Sequence, residues 1–412
     1  MLDIKFIRDN KDAVKKNIEN RRMKVDIDLL LDLDEERRNY IAEIEGLRAL
    51  KKVSKTGPPT ELELKQIREV KERLEVLEKR YAPVNEQYRE LLMQVPNMAH
   101  PDSPIGGEED FVVLHTSGSV PSFEFAAKDH QALLEDAGML DFERGAKVAG
   151  SKFYFSKGML VKLNLALIQY GIEILEKHGF ELVETPDMAR LDVLEGIGFN
   201  PRGEESQIYT LEGTELGLIG TAEITMGGYH RDEILDLSQG PKKYAALSHC
   251  FRKEAGAYGR TSKGLYRVHQ FTKLEMFIYC RPEESEQMHE QLLEIEKEIC
   301  DGLEIPYRVI DIPTGDLGAP AYRKFDIEGF MTMKAAETRG GDYGEITSTS
   351  NCTDYQARRL NIKYKDEQGN LQHVHTLNGT AVVLSRFPIV IVENNQKPDG
   401  TFEVPEVLKK YM

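Results

Sequence analysis

Residues 250–280, CFRKEAGAYGRTSKGLYRVHQFTKLEMFIYC, concentrate the side chains of this chain that could do chemistry. The stretch reads as two strands joined by a Gly- and Lys/Arg-rich loop. On the first strand Arg252 and Glu254 are two apart and would leave the same face. On the second, Leu265, Arg267, His269, Phe271, Lys273 and Glu275 would also share one face, at roughly 6–7 Å per step. Cations for phosphate, a ring for a base and carboxylates for a small polar group would then line one surface, as the floor of a nucleotide site. The plainer reading is a solvated hairpin face carrying ordinary cross-strand charge pairs.

Other familiar solutions for binding phosphate are missing. There is no G-x-x-x-x-G-K-[ST] string, and Gly256–Gly264 has the composition but not the spacing of one. No dinucleotide fingerprint is present. His373 and His375 stand two apart on an expected strand, but no third ligand lies near them in the sequence, so they are not taken as a zinc site.

The string F-R-x-E-A-G, a short basic loop, then G-L-Y-R-V-H-Q-F-x-K-x-E resembles motif 2 of the class II aminoacyl-tRNA synthetases, in the form found in the seryl-tRNA synthetase family. Further blocks are similar to that family. Phe180–Pro186 after a helix over about 158–178 resembles motif 1, Glu345–Ser348 leading into Thr349–Arg359 resembles the seryl signature, and Asn378–Gln396 resembles motif 3. Gly220-Thr-Ala-Glu223 resembles the amino-acid-binding loop, and Thr314–Ala321 with Phe325–Glu328 is also family-like. The chain departs from the family's Ser-Gly at Thr380-Ala381, from its Gly at Ser385, and from its Pro-Gly turn within Met331–Arg339.

The resemblance implies ATP-dependent activation of L-serine to seryl-adenylate and transfer to the 3′-terminal adenosine of tRNA(Ser), with tRNA(Sec) as a further acceptor. It implies catalytic roles for Arg252, Arg267 and Arg386: Arg252 between the serine carboxylate and the α-phosphate, Arg267 and Arg386 on the β- and γ-phosphates, where a forked guanidinium suits better than lysine. Glu254 would read the adenine amino group, Phe271 and Arg386 would sandwich the ring, and Lys253, Val268, Ile346 and Thr347 complete the ATP set. Mg²⁺ would sit with ATP at Glu345 and Ser348, hard oxygens of the kind it favours. Thr221, Ala222, Glu223, Arg252, Glu275, Asn378 and Thr380 would bind serine, with Thr221 and Glu223 on its ammonium and Glu275 and Thr380 on its hydroxyl. Alternatives are a synthetase paralogue that charges a non-tRNA acceptor and a catalytically silent tRNA-binding homodimer.

These residues need elements to hold them. From about Phe111 to Met412 strands and helices alternate irregularly, which reads as an α+β domain, 101–412, on an antiparallel sheet flanked by helices. By propensity the Val/Ile run after Arg386 is a strand. The resemblance puts a helix there, with Pro388 acceptable in its first turn, and helix is the expectation. Residues 1–100 form the other domain. Within it Ile67, Val70, Leu74, Leu77, Tyr81, Val84, Tyr88 and Leu91 recur at 3-4 spacing, and Leu33, Tyr40, Ile44 and Leu47 do so upstream, with Arg37 and Lys51 interrupting. With the Lys55-Thr-Gly-Pro-Pro59 turn signal between them, they predict an antiparallel helical hairpin over about 28–94. Pro83 predicts a kink or break in its second arm. Such a hairpin could serve oligomerisation. The resemblance implies instead a coiled-coil arm that grips tRNA.

Composition agrees with an ordinary globular protein: 412 residues, 40% hydrophobic and 30% charged. The formal net charge of −16 argues against nucleic-acid binding through global charge, so RNA contact must be local. Between Arg48 and Arg80, ten Lys/Arg face six Glu, a basic island in an acidic chain. No apolar run approaches the roughly 20 residues of a membrane helix. The N-terminus, MLDIKFIRDNKDAVKKN, has neither a secretory nor a transit pattern, which predicts a cytoplasmic protein. Four cysteines without a C-x-x-C pair predict reduced, buried thiols, with Cys250 and Cys280 able to face each other across the hairpin. The resemblance implies a homodimer through motif 1.

Overall fold

The computed structural model describes residues 1–52, 60–199, 207–254, 264–335 and 340–412. The chain divides into two compact units, Met1–Met98 and Ala99–Met412. Among the described residues no helix is long and apolar enough to cross a membrane.

The first unit is helical. Helix α1 (Ile4–Asp9) opens on Asp3, whose carboxylate accepts the Lys5 N–H at 2.7 Å. It is followed by α2 (Lys11–Asn20), α3 (Ile27–Lys52) and α4 (Glu61–Gln94). Thr60 and Glu63 start α4 with a reciprocal capping box. At 34 residues this helix is about 50 Å long at ~1.5 Å per residue.

The heptad positions from Val70 to Leu91 pack as expected, whereas Ile67 is exposed. Ile44 and Leu47 pack on Leu74 and Leu77, flanked by Tyr40, Val70 and Tyr81. Nearer the base, Leu30 and Leu33 meet Tyr88 and Leu92 together with Ile7, Val14 and Ile18. Arg37, out of place in the apolar seam, lies 4.4 Å over the Tyr88 ring, so its cation is used rather than stranded. Of the kink or break expected at Pro83, the break does not occur, because α4 runs through it. Its ring is on the exposed side. The lost hydrogen bond, about 3 kcal/mol, is outweighed by Leu77, Tyr81, Val84 and Tyr88 packing against α3 on either side, at ~1.5–3 kcal/mol for each fully buried side chain. The Lys55–Pro59 turn signal lies outside the described residues.

The second unit is built on an eight-stranded sheet: β1 (Val112–Ser117), β2 (Glu181–Glu184), β3 (Lys242–Phe251), β4 (Gln270–Cys280), β5 (Tyr307–Asp311), β6 (Arg323–Met331), β7 (Asp342–Asn351) and β8 (His375–Val383), in the spatial order β1-β5-β6-β7-β8-β4-β3-β2. Every neighbouring pair is antiparallel except β2 with β3. This is the α+β architecture read from the sequence.

Alternation along β4 sorts its residues to two sides. Leu274, Met276 and Ile278 join the large core formed with α5 (Met159–Lys177), α8 (Ser285–Gly302) and α10 (Phe387–Asn394). Phe277 and Tyr279 join a second core with α6 (Leu191–Ile197), α7 (Ala222–Gly228) and α9 (Tyr355–Leu360). The Val/Ile run after Arg386 is the helix α10, with Pro388 in its first turn. Propensity alone fails there because the run is buried on all sides and period cannot be read from it.

The hairpin strands are shorter than expected. β3 ends at Phe251, so Arg252 and Glu254 lie beyond it, with Glu254 at φ 52°. β4 begins at Gln270, so Arg267 and His269 precede it, and Leu265 sits in a 3₁₀ turn, Gly264–Tyr266. The basic loop 255–263 lies outside the described residues, as do 336–339 of the Met331–Arg339 departure. The four cysteines are buried free thiols. Cys250 stands opposite Phe271 and Cys280 opposite His375, so the two cannot face each other.

Candidate active site

The face of β4 that carries Phe271, Lys273 and Glu275 is the floor of the site. On the neighbouring strand Thr380 stands directly opposite Glu275, and Asn378 opposite Phe277. A bulge then inserts Ala381, so that Val382 pairs with Leu274 and turns to the α5 side. One extra residue thus separates a polar strand end from an apolar one.

Thr221 caps α7 at the edge of this floor. Its hydroxyl donates to Glu275 Oε2 at 3.0 Å and accepts from Lys273 Nζ at 2.9 Å and from the Glu223 N–H at 3.3 Å. Lys273 and Glu275 form an ion pair whose side chains are 8% and 2% exposed. Glu223, in the first turn of α7, is held by Gln356 of α9, whose Nε2 donates to Glu223 Oε1 at 2.7 Å. Burial first, and then the nearby Glu275, push the Glu223 carboxyl up to about 7. Ala222 is fully buried, leaving its main chain as the part that faces the floor.

Arg252 reaches over this group. Its Nε donates to the Gly220 carbonyl at 3.2 Å and its guanidinium lies 5.3 Å over the Phe271 ring. The chain leaving β3 is pinned by the Arg252 N–H on the His269 carbonyl (3.0 Å), with His269 Nδ1 on the Arg252 carbonyl (2.9 Å). Arg267 pairs with Glu254 at 2.5 Å. Arg386 stacks 3.6 Å over Tyr266 and donates to the Glu345 carbonyl at 3.0 Å. It is therefore Arg252, not Arg386, whose guanidinium stands over Phe271. Lys253 extends 5.9 Å over the Tyr209 ring, and Val268 is buried.

Glu345 and Ser348 are three apart, which on a regular strand would send them to opposite faces. A bulge between them corrects this. Glu345 pairs with Glu328 and Ser348 with Asp326, two apart on β6, so both side chains leave one face. The side chains of Ile346 and Thr347 turn away: Ile346 joins the core and Thr347 donates to Glu296 Oε2 at 2.8 Å. Only their main chain could meet a nucleotide on the cleft side.

The side chain of Glu345 is wetted while protein surrounds it on several sides. Burial raises its pKa, but Arg386, Lys324, Arg252 and Lys273 outweigh it and hold the carboxyl below the usual range. Asp326 beside it has a buried Oδ1 with no hydrogen-bond partner among the described residues. This set of hard oxygens fits Mg²⁺. Among the described residues no three His, Cys, Asp or Glu converge closely enough to hold a metal unaided. His375 Nδ1 instead meets Ser285 Oγ at 2.9 Å and His373 the Ile362 carbonyl at 3.3 Å.

Behind the floor, β7 and β8 are paired only at Thr349↔Gly379, Ser350↔Asn378 and Asn351↔Leu377. Where the pairing stops, Glu296 of α8 reaches in, its Oε1 3.0 Å from where a Gly379 Cβ would be. Burial pushes its carboxyl well above the usual range. Sequence reasoning missed Glu296, Gln356, Tyr266 and Asp326, and gave Lys273 no role. Only Lys273 carried a signal, two residues from Glu275 on one face.

Comparison with known proteins agrees with this arrangement. Residues 209–395 match the tRNA synthetase class II core domain (G, H, P, S and T), and residues 1–99 match the seryl-tRNA synthetase N-terminal domain. The serine–tRNA ligase of Treponema denticola is 51% identical over 419 residues, covering 100% of this chain and 98% of that one. That of Dictyoglomus turgidum is 50% identical over 424 residues, with the same coverage. Among solved structures, seryl-tRNA synthetase from Pyrococcus horikoshii complexed with ATP superposes with TM-score 0.89 at 39% identity, covering 100% of this chain and 98% of that chain.

Proposed function

The chain belongs to the seryl-tRNA synthetase family, and from that premise we propose that it joins L-serine to ATP as seryl-adenylate, releasing pyrophosphate, and then passes serine to the 3′-terminal adenosine of tRNA(Ser). The observation that carries this reading is the adjacency, on one sheet face, of Arg252 over Phe271 with Glu275 opposite Thr380. A base-and-phosphate platform and a hydroxyl-reading pair share one floor.

In the first step the serine carboxylate attacks the α-phosphorus and pyrophosphate leaves. Two anions must meet, so the chain's contribution is positioning and positive charge. Arg252 lies between the two reactants. Arg267 and Arg386 hold the β- and γ-phosphates, which requires phosphate to draw Arg267 from Glu254 and Arg386 from Tyr266. Glu254, once released, reads the adenine amino group while Phe271 supplies its ring face. Glu345 and Ser348, with Asp326 beside them, would hold Mg²⁺, which would supply further positive charge to the phosphates. Glu223 takes the serine ammonium; Glu275 and Thr380 take its hydroxyl. No general base is needed for a carboxylate that is already ionised.

The α3–α4 arm binds the tRNA through the basic residues toward its tip, for tRNA(Sec) as for tRNA(Ser). A homodimer forms through α5 and β2, where Val161, Leu165 and Leu182 leave apolar surface exposed. The test is serine-dependent ATP–pyrophosphate exchange, with threonine, alanine and cysteine as controls. Exchange with serine alone supports the reading, and exchange with none of the four overturns it.

A further inference from the structure

Glu275 and Glu223 both gather at Thr221, Glu275 accepting from its hydroxyl and Glu223 donating its main-chain N–H to it, and a serine zwitterion offers only one ammonium. Something must tell the two apart. Gln356 meets Glu223 with a neutral amide. Glu275 is met by a cation of the chain itself, Lys273, which also donates to Thr221 Oγ1 at 2.9 Å. The Thr221 hydroxyl donates in turn to the same Glu275 oxygen, Oε2, at 3.0 Å. The three side chains close a buried ring in which Oε2 is taken twice, while Oε1 makes no hydrogen bond among the described residues.

We propose that Lys273 is a specificity-determining positioning residue: by supplying Glu275 with a built-in counter-ion, it makes that carboxylate a reader of a neutral hydroxyl rather than a second seat for an ammonium. The charges then match one to one. The substrate carboxylate has Arg252, its ammonium has Glu223, and its uncharged hydroxyl has a carboxylate already neutralised by the chain. Lys273 cannot readily leave to make room, since its side chain is 8% exposed and it is bonded at both ends of the ring. Removing its charge would leave Glu275 buried and unopposed, a state that favours any cation offered to it.

The inference rests on the serine-activation reading, and its test separates the two. ATP–pyrophosphate exchange is measured with serine, alanine and L-2,3-diaminopropionate, which carries an amine where serine has its hydroxyl, on the wild-type chain and on Lys273→Met and Lys273→Arg. No serine exchange by the wild type overturns the parent reading alone. Given wild-type exchange, Lys273→Met should lower serine kcat/KM at least 10-fold with ATP KM unchanged. The ratio of diaminopropionate to serine should rise at least 10-fold, more at pH 6 than at pH 8, because the amine must be charged to be taken. Lys273→Arg should keep the wild-type ratio. A purely structural role would depress every substrate alike, so an unchanged ratio in folded Lys273→Met, or a raised ratio in Lys273→Arg, overturns the proposal. Should the methionine variant fail to fold, Lys273→Gln removes the charge while keeping a donor for Thr221, and the same ratio decides.

Discussion

Thr380 and Glu275 stand directly opposite each other on adjacent strands, in the last pair before the ladder slips by one residue. Cross-strand neighbours on one face lie about 5 Å apart at Cβ, close enough to grip a single hydroxyl from both sides. Glu275→Gln should therefore cut serine kcat/KM roughly 10–100-fold, about the 1.5–3 kcal/mol of a hydrogen bond to a charged group. Alanine activation should hardly change, and ATP KM should not move. Exchange assays with serine and alanine check this, and unchanged serine selectivity would remove Glu275 from the role.

Glu223 makes serine binding depend on pH. Its carboxyl is pushed up to about 7 by burial and by Glu275, and only the ionised form can receive an ammonium. Serine KM should fall as pH rises from 6 to 8, and Glu223→Gln should raise KM and flatten that profile. Stability runs the other way. The folded chain keeps this proton to higher pH than the unfolded one, so Glu223 lowers unfolding free energy as pH climbs from ordinary carboxylate values through about 7. Thermal midpoints across this range, wild type against Glu223→Gln, read that slope.

Glu296 should behave as a neutral spacer. Glu296→Gln is isosteric and uncharged and should leave stability at pH 7 nearly unaltered. Glu296→Ala should cost about 2–4 kcal/mol, since it opens a cavity in the α8 core and strands the Thr347 hydroxyl. Urea unfolding of both variants decides; an equal loss in Gln and Ala would show that the carboxyl is ionised instead.

The arm makes a separable prediction. Replacing residues 28–94 by a short linker should leave seryl-adenylate formation intact and abolish tRNA charging. Pyrophosphate exchange and aminoacylation on the same preparation test it, and normal charging would sink the assignment of tRNA binding to α3 and α4.

Much of this site was legible as strings and little of it as geometry. The heptads of α3, and of α4 from Val70 to Leu91, read correctly because these positions recur at a fixed period on the packed face. Pro83 does not end α4, because packing that the sequence does not display offsets its local cost. Alternation alone puts Arg252 and Glu254 on a strand, yet the strand stops at Phe251 and Glu254 takes φ 52°. Glu345 and Ser348 resembled a pair only through the family. Three residues apart, they share a face only because of the bulge at Ile346. Glu296 and Gln356 were invisible because their partners, Thr347 and Glu223, are distant in sequence.

Both bulges insert a residue whose own side chain does none of the chemistry, Ile346 in β7 and Ala381 in β8. Their contribution is parity. Pulling either bulge straight with its residue kept would shift the alternation by one, sending Glu345 toward the core or Val382 toward the cleft. Deleting the extra residue instead would preserve both faces, because Glu345 would then stand two residues from Ser348 and Thr380 next to Val382. What these two places hold is an interruption of the strand period, set where one residue too many has to be taken up.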